Sequence, residues 1–196
     1  MRNRRIQLSL FLILLSVITL ATLWSAPATS SVQTSCLTRA AQCLQLPTIT
    51  GSNLAGQTQT FPAAFTKPYQ LVVMPFDREQ QTRVLDFVPL FQELSASRPD
   101  LGYYSMAALT DLAAPIRLLV TGGMNAVVSD PAVRDAAYIF YLEDQPAFLQ
   151  ALDLPDTETI RIYIFDQVGS VLWQASGDFT PEMAASIRAS VAELPK

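Results

Sequence analysis

Leu71-Val72-Val73-Met74-Pro75-Phe76-Asp77-Arg78-Glu79-Gln80-Gln81-Thr82-Arg83-Val84-Leu85-Asp86-Phe87-Val88-Pro89-Leu90-Phe91 is the stretch on which the fold turns. Its first six residues form a compact apolar run with β-branched content, as expected of a strand buried on both faces. The period then changes. From Glu79 to Ser97 the apolar positions Val84, Phe87, Val88, Phe91 and Leu94 recur at spacings of three and four, the mark of an amphipathic helix, interrupted only by Pro89.

The same alternation continues on both sides. Upstream, Ile49, Leu54 and Phe61, punctuated by Gly51, Gly56 and Pro62, predict a short hairpin. Downstream, Leu101–Met106 reads as a strand and Pro115–Val128 as a helix, whose internal Gly122-Gly123 pair is costly enough to mark a break. Ala137–Leu142 reads as a further strand and Pro146–Leu152 as a short helix. Ile160–Phe165 and Ser170–Trp173 flank Asp166-Gln167-Val168-Gly169, a hairpin turn whose glycine can take positive φ. Thr180-Pro181-Glu182-Met183 combines an N-cap, a proline at the first helical position and an acidic first turn, opening a helix that runs through Leu194. The order β-α-β-α-β-α-β-β-α predicts an α/β domain over residues 47–196, a central mixed sheet flanked by helices with an N-terminal hairpin extension.

The N-terminus reads as an export signal. Arg2, Arg4 and Arg5 precede an uncharged run from Ile6 to Trp24, and small residues follow at Ser25–Ser31, so residues 1–30 are expected to be a signal peptide or an uncleaved membrane anchor. Either way the arginines stay inside and the rest is exported. Gln33-Thr34-Ser35 is a poor lipoprotein site ahead of Cys36, because an aliphatic residue is wanted three positions before the cysteine. Residues 31–46, rich in Ser, Thr, Ala and Gln, are expected to form a flexible tether.

Charge and composition exclude several functions. Setting aside the three leading arginines takes the 13 basic residues to 10 against 17 acidic ones, net −7, so nucleic acid is not an expected partner. The chain has no histidine, which removes His-based triads and the usual zinc sites, and no metal or cofactor is expected. Cys36 and Cys43 are the only cysteines. Outside the cytoplasm the expected state is a small structural disulfide on the tether, with a redox-active pair or free thiols as alternatives.

With its opening hairpin, the element order resembles thioredoxin-like proteins of the membrane-anchored thiol reductase and peroxiredoxin type. Leu46-Pro47-Thr48-Ile49 through Leu54-Ala55-Gly56-Gln57 resembles the opening of that superfamily, Tyr163–Val171 its hairpin, and Gly177 followed by Thr180 the approach to its last helix. In active relatives the strand that ends in an aromatic is followed by Cys-x-x-Cys at a helix start, with a proline five residues beyond. Pro89 matches that proline, so Gln81-Thr82-Arg83-Val84 stands where the motif belongs, and Ile160 stands where the superfamily's cis-proline belongs. A helix N-terminus activates a thiol only where a thiol exists. Val168–Gly177 also resembles the Tyr-x-x-x-Ile-Arg-Trp-Ala-x-x-Gly segment of the mitochondrial ATP synthase assembly factor family and its bacterial relatives, with Leu172 in place of the arginine.

These readings lead to two expectations. The first is a redox-inactive binding or assembly-assisting module outside the cytoplasmic membrane, with a protein partner, a membrane complex among the candidates, held at the former active-site edge. Its candidate residues are Asp77, Arg78, Glu79, Gln80, Gln81, Arg83 and Thr159, because ligands of open α/β sheets collect at the C-terminal ends of strands and arginines can hold a carboxylate. Within that set Asp77 can equally serve only as a helix cap and Glu79 only as a complement to the helix dipole. The second is a thiol-disulfide oxidoreductase or peroxidase-like enzyme working through Cys36 and Cys43. Met74, Met106, Met124, Phe87 and Phe91 are expected to fill the core, and Trp173 to pack on its hairpin.

Overall fold

The protein's structure, a computed structural model, describes residues 44–112 and 114–195. The export segment, the tether up to residue 43 and both cysteines of the expected disulfide lie outside the described residues. In chain order the elements are β1 (Ile49–Asn53), β2 (Thr58–Phe61), β3 (Tyr69–Met74), α1 (Arg78–Arg83), a 3-10 turn (Val84–Phe87), α2 (Val88–Ser97), β4 (Leu101–Thr110), α3 (Ala114–Val127) and α4 (Pro131–Ala136). They continue with β5 (Ala137–Leu142), α5 (Gln145–Ala151), β6 (Arg161–Asp166), β7 (Val171–Ser176) and α6 (Pro181–Ala192).

All seven strands share one sheet in the order β2-β1-β5-β4-β3-β6-β7. β3 lies inside it, parallel to β4 on one side and antiparallel to β6 on the other, while the two hairpins form the edges. Alternate strand residues therefore supply two separate cores. Val72, Met74, Met106, Phe140, Tyr163 and Phe165 join one cluster with Phe61 and Phe65 from the opening hairpin. Leu71, Val73, Ile162 and Ile164 face the other way and meet Phe87, Phe91 and Ile187 of the helical layer. A third, smaller cluster of Leu54, Ala107, Leu109, Ala137 and Ile139 is covered by half-buried Val120, Met124 and Val128 of the α3 region.

The expected mixed α/β sheet is present, with local corrections. The helix expected over Glu79–Ser97 is three pieces, with Pro89 seated in the first turn of α2, where a missing N–H breaks no helical hydrogen bond. β4 runs on to Thr110 because β5 pairs with it from Ser105 to Thr110. α3 passes through Gly122-Gly123 without a break. α4, absent from the sequence reading, is capped by Asp130, whose Oδ1 accepts from the Ala132 amide at 2.9 Å, with Pro131 in its first turn. The last residues of the expected tether are docked: Leu46 is buried, its amide donates to the Gly169 carbonyl, and the Leu44 carbonyl accepts from Val171. Gly169 takes φ +88° in the β6-β7 turn, as the turn chemistry requires.

Candidate functional site

The chain leaves β3 through Pro75 and Phe76 and enters α1 at Asp77. Asp77 is extended (φ −142°, ψ 176°), and its carboxylate accepts from the Gln80 amide at 2.8 Å, so this candidate is a helix cap, as one of its two readings required. Arg78 and Glu79 are exposed beside it. Gln80 points the opposite way and is fully buried. Its Oε1 accepts from the Phe76 amide at 2.9 Å, and its Nε2 donates to the Thr157 carbonyl at 2.7 Å. One side chain thus ties the β3-α1 corner to the loop before β6.

That loop is ordered by Asp156, which accepts from the Glu158 amide at 3.0 Å and from the Arg161 guanidinium at 3.1 Å. Thr159 is exposed on it. A third segment, missed by sequence reasoning, completes the edge. The Gly177 amide donates to the Ile160 carbonyl at 2.9 Å, and both carboxylate oxygens of Asp178 accept from Arg83 Nη1, at 2.7 and 2.9 Å. Arg83 is therefore spent on closing the edge, whereas Arg78 enters no ion pair among the described residues. Nothing between Arg83 and Asp178 in the sequence signals this pairing.

The positions that the superfamily resemblance sets against the redox machinery are apolar or amide. Val84 is 3% exposed and Ile160 is 1% exposed, and both belong to the same cluster as Phe87 and Phe91. Gln81, at the first cysteine position, is half-buried, and its Nε2 is enclosed without an acceptor. Among the described residues the cis peptide is Phe61–Pro62, so the Thr159–Ile160 bond is trans. Burial pushes the Tyr163 phenol well above its ordinary range, but that group sits in the core and keeps its proton.

Beside α1 the packing is open. A cavity of about 370 Å3 lies between α1, the 3-10 turn, β4 and α3, with Arg78, Gln81 and Thr82 on one wall and Val120, Gly123 and Met124 on another. Ile116 and Leu119, 47% and 75% exposed, line it from the solvent side. Met124, expected in the core, is a cavity wall. The other named core residues Met74, Met106, Phe87 and Phe91 are buried, and Trp173 packs half-buried on the helical-layer cluster. The only sequence signal for the cavity was the glycine pair inside a helix.

No family model matches this chain, and no curated protein matches it. Among solved structures it is similar to yeast Sco1 with copper bound, at 10% identity over 79% of this chain and 97% of that one, TM-score 0.53. It is also similar to Arabidopsis thaliana ScoI with copper bound, at 7% identity over 77% and 99%, TM-score 0.52. A putative thiol:disulfide interchange protein DsbE from Chlorobium tepidum aligns at 11% identity over 76% and 94%, TM-score 0.50. The fold is thioredoxin-like. Identities this low speak for the fold alone. Among the described residues no helix is long and apolar enough to cross a membrane.

Proposed function

We propose that this protein is a redox-silent thioredoxin-like module that acts outside the cytoplasmic membrane by binding a protein partner, and that the working surface is the edge formed by Asp77–Arg83, Asp156–Ile160 and Asp178. The observation that carries the reading is the pair Val84 and Ile160, buried in one apolar cluster where active relatives place the second cysteine and the cis-proline. A valine can form no mixed disulfide, and an apolar cluster offers no stabilisation to a thiolate. Export is supported by Arg2, Arg4 and Arg5 ahead of the uncharged run Ile6–Trp24.

The Sco structures hold copper, but copper chemistry does not carry over. Thiolate and imidazole are donors that suit copper, and the edge offers neither: the chain has no histidine, and its only cysteines, Cys36 and Cys43, lie outside that edge. What remains at the edge is a rigid, hydrogen-bonded rim with Arg78 free to pair with a partner's carboxylate. An assembly-assisting role fits such a rim, since it offers contact without chemistry.

Insulin reduction and peroxide consumption by the full chain test the redox half of the reading. Neither activity should exceed background, and a Cys36→Ser, Cys43→Ser double variant should behave identically; turnover that disappears in the double variant overturns the reading in favour of a thiol enzyme. Capture of a partner from solubilised membranes tests the binding half. Arg78→Glu should abolish it, and capture at full affinity by that variant would place the working surface elsewhere.

A further inference from the structure

The cavity beside α1 is unexplained by contact at the edge. Its volume of about 370 Å3 falls among pockets that enclose small molecules, roughly 300–1,000 Å3, which are mostly apolar with a few polar groups that fix orientation. Its wall has that division. Leu54, Val120, Met124, Val133 and Ala137 are apolar, while Arg78, Gln81 and Thr82 come from α1 at the spacing that puts three side chains on one side of a helix.

The polar wall carries a cation without a carboxylate partner. Arg78 is exposed and makes no ion pair among the described residues, and Gln81 Nε2 is enclosed with no hydrogen-bond partner. Asp77 and Glu79 flank Arg78 in sequence but do not line the cavity, and Asp77 is occupied by the α1 cap. The exposed guanidinium of Arg78 on the cavity wall suits a carboxylate.

The apolar end is held open by composition. A Cβ built on Gly123 meets nothing within 4 Å, so packing does not require glycine there, although glycine is among the poorest helix formers. Any larger side chain at this position would enter the space that Gly123, as a wall residue, leaves empty.

We propose that this cavity is a binding site for an amphipathic carboxylic acid with a medium-length aliphatic chain. The carboxylate pairs with Arg78, and the chain lies among Val120, Met124 and Val133 in the space left by Gly123. Burial of the chain supplies the affinity and the charge pair supplies the selectivity for an acid over an alcohol. The site goes beyond the partner-binding reading and shares only its α1 wall, Arg78 above all, with that edge.

Photoaffinity labelling of the full chain with a diazirine-bearing decanoic acid, and with the matching decyl alcohol, tests the site by peptide mapping. The acid should label the tryptic peptide 118–134, with unlabelled decanoate competing. Arg78→Gln should lower acid labelling about tenfold, the loss of one charge-assisted pair, and leave alcohol labelling unchanged. Gly123→Leu should abolish both labels while the thermal transition and partner capture persist, which separates this site from the edge. Absence of label on that peptide, equal labelling in wild type and folded Gly123→Leu, or an acid-to-alcohol ratio unmoved by Arg78→Gln overturns the proposal. Should Gly123→Leu fail to fold, Arg78→Gln decides alone, because that side chain is exposed and unpaired.

Discussion

Gln80 is fully buried, although glutamine is ordinarily a surface residue. Its amide satisfies the Phe76 N–H and the Thr157 C=O at once, two backbone groups that would otherwise be enclosed without partners. Gln80→Leu keeps the volume and removes both bonds, so stability measured by urea denaturation should fall by about 2–3 kcal/mol. Gln80→Glu retains the acceptor but sets a carboxylate against the Thr157 carbonyl. Burial raises the pKa of such an acid in the folded state, so the variant should be weakest above that raised value and recover as pH falls from it toward the unfolded carboxylate value of about 4.3, where the recovery is complete. A deficit independent of pH would mean that the loop moves away instead. Arg83 and Arg78 differ for the same kind of reason. Arg83→Glu places like charges beside Asp178 and should lower stability by up to about 1 kcal/mol, the scale of a partly exposed ion pair. Arg78→Glu touches no partner and should change stability by less than about 0.5 kcal/mol.

α3 and the opening hairpin place glycine in opposite situations. At Gly122 and Gly123 an added Cβ meets nothing, so alanine at both positions should stabilise α3 by about 1 kcal/mol each and raise the thermal midpoint. At Gly51 a Cβ would stand 2.6 Å from the Ile139 carbonyl and from the Phe140 ring. Gly51→Ala must therefore push β1 away from β5, and a loss of more than about 2 kcal/mol is expected in the same melting experiment. Equal behaviour of the two substitutions would show that β1 yields without cost. The split of the helix after β3 has a similar local origin. Asp77 and Pro89 are both good helix starters twelve residues apart, and Val84 and Phe87 between them are drawn into the core, so the chain bends through a 3-10 turn rather than continuing straight.

Across the whole molecule, Arg98 fastens the C-terminal helix to the rest. Its guanidinium donates to the Asp100 carboxylate at 2.9 and 3.0 Å, reaches the Val191, Leu194 and Pro195 carbonyls, and lies over the Tyr69 ring at 5.3 Å. Val191 lies in the last turn of α6, and Leu194 and Pro195 follow just past its end, so the contacts hold both the helix terminus and the segment after it. The Arg98 hydrogen bonds hold the Asp100 carboxyl below its ordinary range, so the folded protein binds that proton less readily than the unfolded chain. The contribution of the pair is complete above the unfolded value of about 3.9 and is lost as pH falls through the lower folded value. Arg98→Gln should lower stability and flatten this acid limb in denaturation curves taken between about pH 2 and 5. Hydrogen exchange in residues 181–195 should rise in the same variant; protection equal to wild type would assign the anchoring of α6 to Ile187 and Val191 alone.

Period and punctuation alone determined the α/β class, the strand-to-helix transition after Phe76 and both hairpins, because burial of β3 on two faces, the Asp166–Gly169 turn and the Thr180-Pro181 start are local demands that a chain states in its own sequence. The absence of Cys-x-x-Cys was equally plain at Gln81 and Val84. What tertiary structure decided was the use of each polar group at the edge. Asp77, Arg78, Gln80 and Arg83 are interchangeable in a sequence reading, yet one caps, one is free, one is buried between two loops and one is paired across 95 positions to Asp178. The cavity beneath α3 was hidden for the same reason. A void is a relation between surfaces that meet only after the chain has closed, and the sequence carries no more of it than two glycines in a helix.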